Sequence, residues 1–502
     1  MRGPTLLGLT TRCYVTVAVS ESAISAPALH REVRAPAEHR RRLPGSVVRR
    51  PWVIVAVAVV LVSVLFVVAS GVRPEFDTYG WLVWGRQALH GNLDTNSAPS
   101  WKPLTFLFTF MYALAGDGEL WLWMVTAVAA ALAGMIFAGR IAYRLAGPAP
   151  GREYARIVAA VFAGLGVLGI VGYGHLILIA ASDPMDVTLC LAAIDCHLSA
   201  RPRAAWVLLV LLSLGRPEAW TVAGLYAVWA WRAIPSMRTH IALGVAIIPA
   251  MWFGIAALTS RSWSIASDIA LESTRTLPGS PISRIPHNFL SLYELPMKLA
   301  MLFALILTVA RRERAWLLLA GTALVWLATW AALALYGWNP SARYMFEPAA
   351  ILIVLAGAAI GWALANAPRH TVLRWAVATA VLGLVVALAL PARNRARLAH
   401  TDIVFGRTWA RQLSRLHAVI DKDGGAKRIL GCGQAVSDLG FQTILAWDLD
   451  RNISDIGWQP ERSLRQAKPI VLFEPYGAGW KVRPIRTKRA GCQGLATTTA
   501  FG

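Results

Sequence analysis

Long apolar stretches, separated by short polar and basic segments, fill most of the chain from residue 52 to residue 391. An α-helix needs about 20 mainly apolar residues to cross the hydrocarbon core of a bilayer. We predict about 11 membrane-spanning helices: Trp52–Ser70, Glu119–Ala138, Arg156–Tyr173, Pro184–Ala200, Ala204–Gly215, Ala219–Ala233, Ile241–Thr259, Pro296–Ala310, Ala315–Tyr336, Glu347–Ala365 and Leu373–Leu390. The pattern therefore indicates an all-α polytopic membrane domain over residues 52–391.

The composition agrees with this prediction. Hydrophobic residues make up 56% of the chain and charged residues 15%, and the mean hydropathy is +0.52. Soluble domains average about 25% charged residues. This difference excludes a soluble cytosolic fold, a coiled coil and a disordered protein.

The chain is also strongly basic, with 49 Lys and Arg residues against 27 Asp and Glu and a net charge of +22. No zinc-finger, RNP or basic-zipper spacing accompanies this charge, so we predict no nucleic-acid partner. Basic residues instead mark the cytoplasmic loops of membrane proteins. With a cytoplasmic N-terminus, the predicted spans place these residues inside: Arg140, Arg144, Arg152, Arg156, Arg201, Arg203, Arg232, Arg238, Arg311, Arg312, Arg314, Arg369 and Arg374. We therefore predict a multi-pass cell-membrane protein whose C-terminal segment is extracytoplasmic.

Two flanking segments lack the apolar pattern. Residues 1–51 form a basic tail, which we predict to be cytoplasmic and disordered unless translation starts further downstream. Residues 392–502 begin with helical periodicity over Ala399–Val419, and Asp423–Gly425 is a stop signal. Short β-like runs follow at Arg428–Gly431, Thr443–Trp447 and Pro469–Phe473. We predict a small extracytoplasmic α/β domain over residues 392–502.

This C-terminal segment has 18 Lys and Arg residues against 9 Asp and Glu, a net charge of +9. Such a surface suits an anionic lipid surface or polymer, although a merely soluble basic domain would have the same composition.

The five cysteines are too few for a disulfide framework. Cys432 and Cys492 alone lie in the segment predicted to be extracytoplasmic, where disulfides persist, and we predict that they pair. Cys13, Cys190 and Cys196 are interpreted as small packing residues. No CxxC or HExxH pattern is present, so no structural metal site is predicted.

The first candidate for chemistry follows the first predicted span, in the loop 71–118. If the stretch after Glu75 is a helix on the membrane surface, Asp77, Trp81 and Trp84 share one face. Asp77 would then be a general base next to two indole rings. The rings could stack on sugars, but tryptophan also collects at membrane interfaces without any ligand.

Several segments resemble the motifs of the GT-C superfamily, the polytopic membrane glycosyltransferases that use polyprenyl-phosphate sugars. Asp77 matches the acidic motif after the first span. The other matching segments, in the order in which the family has them, are Ser100–Leu104, Gly116–Glu119, Ser182–Asp186, Leu214–Trp220 and Ser341–Pro348. The resemblance covers roughly residues 52–391. Lys102 departs from it by standing where a proline is common, and Asp77 has no adjacent acidic partner, the nearest being Glu75.

The resemblance implies a polyprenyl-phosphate sugar donor and a transfer on the outer face. The acceptor would be a cell-envelope glycan, lipid or protein. Separately, the high content of Ala, Arg and Trp suggests a GC-rich bacterium, for which mannose or arabinofuranose donors are plausible. A hydroxyl needs a base during attack, which is the role expected of Asp77. The departing phosphate needs cations, expected to be Arg216 and Arg343 with Lys102 as a third. The expected substrate-binding residues are Glu75, Trp81, Trp84, Lys102, Asp183, Arg216, Glu218, Arg343 and Tyr344.

Each of these polar residues also has a purely structural interpretation. Arg216 could be a helix-end charge that reaches the membrane interface, or form a structural pair with Glu218. Asp183 could cap a helix that starts with Pro184. Asp183 and Asp186 could alternatively orient acceptor hydroxyls or hold a divalent cation, although no cofactor is firmly indicated.

Two other classes of function remain open from the sequence. A polytopic transporter or lipid flippase would need polar residues along a path open to both sides, whereas a transferase would collect them in an outward cavity. A membrane scaffold that presents the C-terminal domain would not need Asp77. The sequence specifies no oligomeric state.

Overall fold

The computed structural model describes residues 45–97, 99, 101–148, 150–274, 281–367, 371–466, 468–477, 479–487, 490–492 and 495. The predicted disordered tail falls almost entirely outside these residues. Residues 1–53 and 54–502 form two separate units.

The chain is built almost entirely of helices. The twenty α-helices among the described residues are α1 Gly45–Ser70, α2 Phe76–Leu89, α3 Pro103–Ala113, α4 Glu119–Leu145, α5 Glu153–Leu168, α6 Tyr173–Leu178, α7 Asp183–Leu198, α8 Pro202–Gly215, α9 Ala219–Ala233, α10 Arg238–Pro249, α11 Ile255–Thr259, α12 Ile265–Thr274, α13 Pro281–Ser291, α14 Leu295–Arg311, α15 Arg314–Tyr336, α16 Phe346–Ala365, α17 Thr371–Lys422, α18 Gly425–Cys432, α19 Gln442–Asp448 and α20 Pro460–Arg465. A π-helical turn, Ala250–Gly254, joins α10 to α11. The predicted all-α membrane fold with a small C-terminal strand region is confirmed.

Every stretch predicted to cross the membrane is largely helical in the structure. Within the described part of the chain, six helices are long and apolar enough to span a bilayer. They are Pro51–Ser70, Gly116–Leu145, Pro235–Thr259, Arg314–Tyr336, Ala342–Ala365 and Arg374–Lys422. A seventh would be the pair Ile282–Ser291 and Leu295–Arg311, which is bent by 107°. The chain is thus a multi-pass membrane protein, and the number of about 11 crossings stays a prediction.

Helix α16 forms the centre of the bundle. It is apolar on all sides and buried over nearly its whole length, with α4, α5, α7, α14 and α15 packed around it. Two glycines of α16, Gly357 and Gly361, allow α5 to approach closely. A methyl group added at Gly361 would lie 2.6 Å from the Cβ of Ala159 and 2.8 Å from the carbonyl oxygen of Ala155. Small residues give membrane helices this closeness, because apolar side chains gain little from leaving lipid for protein.

The loop 71–118 folds back on the bundle as the helix pair α2 and α3. Gly85 allows α2 and α3 to lie close together, because a Cβ added at Gly85 would lie 2.4 Å from the carbonyl oxygen of Thr109. Most of α2 is buried. Trp81 and Trp84 on this helix are buried in the protein, whereas the position of α2 at the membrane surface stays a prediction.

The C-terminal segment continues from the last predicted span without a break, since α17 runs through Pro391 to Lys422. After it comes a three-stranded sheet of β1 Gln434–Val436, β2 Ile470–Tyr476 and β3 Gly479–Ile485. Strand β2 is central, parallel to β1 (Gln434 opposite Ile470) and antiparallel to β3 (Ile470 opposite Ile485). Cys432 and Cys492 are joined by a disulfide in this structure.

Only one of the three predicted β-like runs is a strand. Residues 469–473 enter β2, as expected, whereas residues 428–431 lie in α18 and residues 443–447 form most of α19. Short apolar runs do not distinguish a strand from a buried helix by periodicity, and tertiary packing decides between them. The predicted stop at Asp423–Gly425 is confirmed, because α17 ends at Lys422.

Replacing Gly361 with Ala should destabilise the bundle by about 1–3 kcal/mol, the usual effect of overpacking. The matched control is Gly321→Ala on α15, where an added methyl group meets no atom within 4 Å. Thermal unfolding of both variants in detergent measures the difference. A Gly361→Ala protein as stable as the control would contradict the close packing of α16 on α5.

Candidate active site

Asp77 lies in the first turn of α2, directly after the extended residue Glu75 and the first helical residue Phe76. A carboxylate at this position is stabilised by the positive end of the helix dipole. Its side chain is partly exposed, and no described residue donates a hydrogen bond to it. Arg343 is near enough to Asp77 for their charges to attract, although the ion pairs of the described residues do not include this pair. Asp77 is therefore a carboxylate that still has acceptor capacity and faces a cation.

Arg216 occupies the break between α8 and α9, where the backbone is extended and Pro217 prevents the helix from continuing. Its side chain is 2% exposed. It forms an ion pair with Asp183, and its Nε lies 3.2 Å from Asp186 and 3.5 Å from Glu347. The guanidinium is thus buried among three carboxylates.

These carboxylates come from two helix starts that are distant in the sequence. Asp183 and Asp186 are in the first turn of α7, and Glu347 is in the first turn of α16. Gly215 makes room for the arrangement, since a Cβ there would lie 2.2 Å from Oδ1 of Asp186. Asp183 binds Arg216, and the structure contains no side-chain cap hydrogen bond at the start of α7.

Two further cations border this group. The Lys102 ammonium donates a hydrogen bond to Ser182 Oγ at 3.1 Å, and Lys102 and Arg343 both act electrostatically on Asp183. Arg343 Nη2 donates to the hydroxyl of Tyr344 at 3.3 Å. Lys102 and Arg343 are partly exposed, unlike Arg216.

Tyr344 packs against both Trp330 and Arg216. Its ring stacks on Trp330 with centroids 5.1 Å apart, and the Arg216 guanidinium carbon lies 5.0 Å from the same ring. We call the residues Asp77, Lys102, Asp183, Asp186, Arg216, Glu218, Arg343, Tyr344 and Glu347 the charge cluster. Most of the site residues predicted from the sequence therefore meet in one place.

Three predicted residues differ from expectation. Trp84 is fully buried, donates its indole N–H to Asp94 O at 3.0 Å and packs against Trp101. Trp81 is also buried, against Trp123, although Lys102 lies 5.4 Å from its ring. Neither ring presents a face for stacking on a sugar. Glu75 lines a different small pocket, which it shares with Asp402.

Arg216 also differs from its expected role. Removing a guanidinium from water costs several kcal/mol, and paired carboxylates offset that cost. Here Asp183, Asp186 and Glu347 provide the pairing, with Glu218 buried nearby. Glu218 is therefore not the only counter-charge of Arg216. The buried ion pairs instead make Arg216 the residue that holds the carboxylates of the cluster together.

Sequence reasoning assigned no role to Glu347 or Ser182. Glu347 was visible as the acidic residue near the end of the last motif, four residues after Arg343. Several carboxylate oxygens, namely both of Asp186, both of Glu347 and Oε2 of Glu218, are buried without a hydrogen bond from the described residues. No group of three or more His, Cys, Asp or Glu side chains in the described ranges is arranged to hold a metal ion.

A search with protein-family models finds no match for the chain, and neither does a search of curated proteins. Among solved structures, the fold is similar to that of ArnT from Cupriavidus metallidurans bound to undecaprenyl phosphate. The identity is 15%, the TM-score is 0.50, and the match covers 84% of this chain and 93% of that chain. The chain therefore shares the fold of this ArnT structure. The apo state of ArnT is also similar, with 16% identity, a TM-score of 0.49 and coverage of 85% and 93%. The fold implied by the sequence motifs is thereby confirmed.

Replacing Arg216 with Ala should destabilise the protein by about 3–5 kcal/mol, because it leaves buried carboxylates without their counter-charge. Arg343→Ala is the control, since Arg343 is partly exposed and should tolerate the change. The measurement is thermal unfolding in detergent. An Arg216→Ala protein as stable as Arg343→Ala would show that Arg216 does not organise the cluster.

Proposed function

We propose that the chain is a membrane glycosyltransferase that moves a sugar from a polyprenyl-phosphate donor to an acceptor on the outer face of the membrane. The main support is the position of Asp77, a carboxylate with acceptor capacity that lies near enough to Arg343 of the charge cluster for their charges to attract. The fold adds support, because the ArnT structure with the same fold is bound to undecaprenyl phosphate.

The chemistry of such a transfer needs one base and fixed cations. A bond forms between the acceptor oxygen and the anomeric carbon, and the bond from that carbon to the phosphate oxygen breaks. Asp77 would accept the proton of the acceptor hydroxyl, while the lipid phosphate leaves with the bonding electron pair. The phosphate needs no proton from an acid, because it is already a good leaving group.

Arg343 and Lys102 are the cations best suited to the phosphate. Both are partly exposed, and Arg343 uses one described hydrogen bond, to the Tyr344 hydroxyl, so that its guanidinium keeps donors for phosphate oxygens. Pre-placed cations stabilise negative charge as it develops, without reorganisation. Arg216 would act indirectly, by holding Asp183 and Glu347 behind these two residues.

The distribution of charge along α7 favours transfer over transport. The charge cluster lies at the start of this helix, and at its other end Asp195 pairs with Arg140 and Arg144, both at 3.0 Å. Between the two ends, α7 buries mainly apolar side chains such as Val187 and Leu191. A transporter would need a polar path that connects both sides, and α7 offers none.

The orientation follows from the basic loops. An N-terminus in the cytoplasm would place the start of α7, with the charge cluster, and residues 392–502 on the outer face. Mannose or arabinofuranose from a polyprenyl-phosphate donor would then be transferred to a component of the cell envelope.

Asp77→Asn should reduce sugar transfer by about 10²–10⁴-fold, the usual contribution of a general base. Folding should persist, because Asp77 is partly exposed and makes no described hydrogen bond. The assay uses purified protein with a polyprenyl-phosphate sugar, and Glu75→Gln is the control two residues away. Undiminished transfer by Asp77→Asn would reject Asp77 as the base.

Arg343→Ala and Lys102→Ala should each weaken use of the donor, by roughly 10- to 100-fold in kcat/KM, because charged hydrogen bonds contribute about 1.5–3 kcal/mol. Arg343→Lys should recover part of this loss, since it keeps the charge without the planar fork. Initial rates at limiting donor concentration measure the effect. Equal donor use by the wild type and both Ala variants would exclude these residues from the phosphate site.

A further inference from the structure

A wide surface cleft of about 870 Å³ lies in the C-terminal segment, between the loop before α20 and the end of β2. Trp458 lines it from the loop with 43% of its surface exposed, and Tyr476 lines it from the strand with 62% exposed. The volume is within the range of about 300–1,000 Å³ that is usual for ligand sites.

The exposure of Trp458 is unusual within residues 392–502. The other three tryptophans there are packed: Trp409 stacks on Phe441, Trp447 lies under the guanidinium of Arg86, and Trp480 is 1% exposed. Trp and Tyr are enriched at binding interfaces, because each combines a large apolar ring with a polar group. Two such rings on one cleft therefore indicate a ligand with apolar faces.

The charge of the cleft indicates what kind of ligand this is. The cleft is lined by three acidic residues (Asp438, Glu461 and Glu474) and three basic residues (Arg462, Arg465 and Lys481). It is thus electrically balanced, although residues 392–502 as a whole have a net charge of +9. An anionic lipid surface or phosphate polymer would select an excess of cations here.

A carbohydrate fits both observations. Sugar rings have apolar C–H faces that stack on aromatic rings, and hydroxyls that donate to carboxylates and accept from guanidinium groups. A neutral sugar chain also needs no net charge in its site. We infer that the cleft of Trp458 and Tyr476 binds a neutral polysaccharide, and that this polysaccharide is the acceptor of the transfer.

The inference of an acceptor rests on the proposed transferase function and narrows it. No residue of the charge cluster lines the cleft, so an acceptor that occupies both must bridge two separate sites, as a chain of sugars could. The two sites are held in a defined relation, because Thr443 donates a hydrogen bond to Phe76 O at 2.7 Å, next to Asp77. The acceptor would then be a polymer rather than a lipid or a protein.

The first test measures binding to the full-length protein in detergent, without donor. The probes are oligomannosides and oligoarabinofuranosides, each as a disaccharide and as an octasaccharide. One octasaccharide should bind, Trp458→Ala should weaken it about tenfold, and Trp458→Phe should keep most of the affinity because a ring remains. Absence of binding by both series, or equal binding by wild type and Trp458→Ala, would overturn the inference.

The second test measures transfer. Trp458→Ala should raise the acceptor KM about tenfold for the octasaccharide while leaving the disaccharide and the donor KM unchanged. An equal effect on both acceptor lengths would contradict a separate polymer site. Octasaccharide binding without transfer from any polyprenyl-phosphate sugar would instead reject the transferase function and with it the acceptor role, while the carbohydrate site would stand.

Discussion

The guanidinium of Arg216 is buried in a membrane-embedded bundle and is held there by carboxylates from the starts of α7 and α16. A buried charge is tolerated only when opposite charges neutralise it, so the three chain segments must meet at this point. Ser182, next to Asp183, accepts a hydrogen bond from Lys102, and Tyr344, close to Glu347, lies against Arg216. The positions of Lys102 and Arg343 thus depend on this one interaction.

The C-terminal segment provides the second constraint, because it holds the helix that carries Asp77. Thr443 binds the carbonyl oxygen of Phe76, and Trp409 donates to Pro74 O at 3.0 Å. At the other end of α2, the Arg86 guanidinium lies on the ring of Trp447 and pairs with the buried Glu119. A segment encoded more than 300 residues later therefore orients the candidate base, which couples the C-terminal segment to any chemistry at Asp77.

The sequence was sufficient to predict some of the site residues and elements but not others. Asp77, Lys102, Asp183 and Arg343 were recognisable because they stand in ordered motifs next to apolar spans, and they meet in the structure. The surface position of Trp81 and Trp84 was not borne out, since an amphipathic pattern does not reveal that α3 and the C-terminal segment cover the other side of α2. The runs near residues 428 and 443 are helices although they were predicted to be β-like. Their apolar residues fit both periodicities, so the sequence pattern could not distinguish the two structures.

The sequence by itself determined the membrane class, the positions of the long apolar helices, the charged residues available for chemistry and the family whose motifs they resemble. These properties are local, since they follow from hydrophobic length, helix-breaking residues and motif order. Only the tertiary structure decided that Arg216 is enclosed by Asp183, Asp186 and Glu347 while Arg343 stays accessible, and that Trp458 is exposed while Trp480 is buried. Burial and pairing are set by segments that are distant along the chain, so no local pattern contains them.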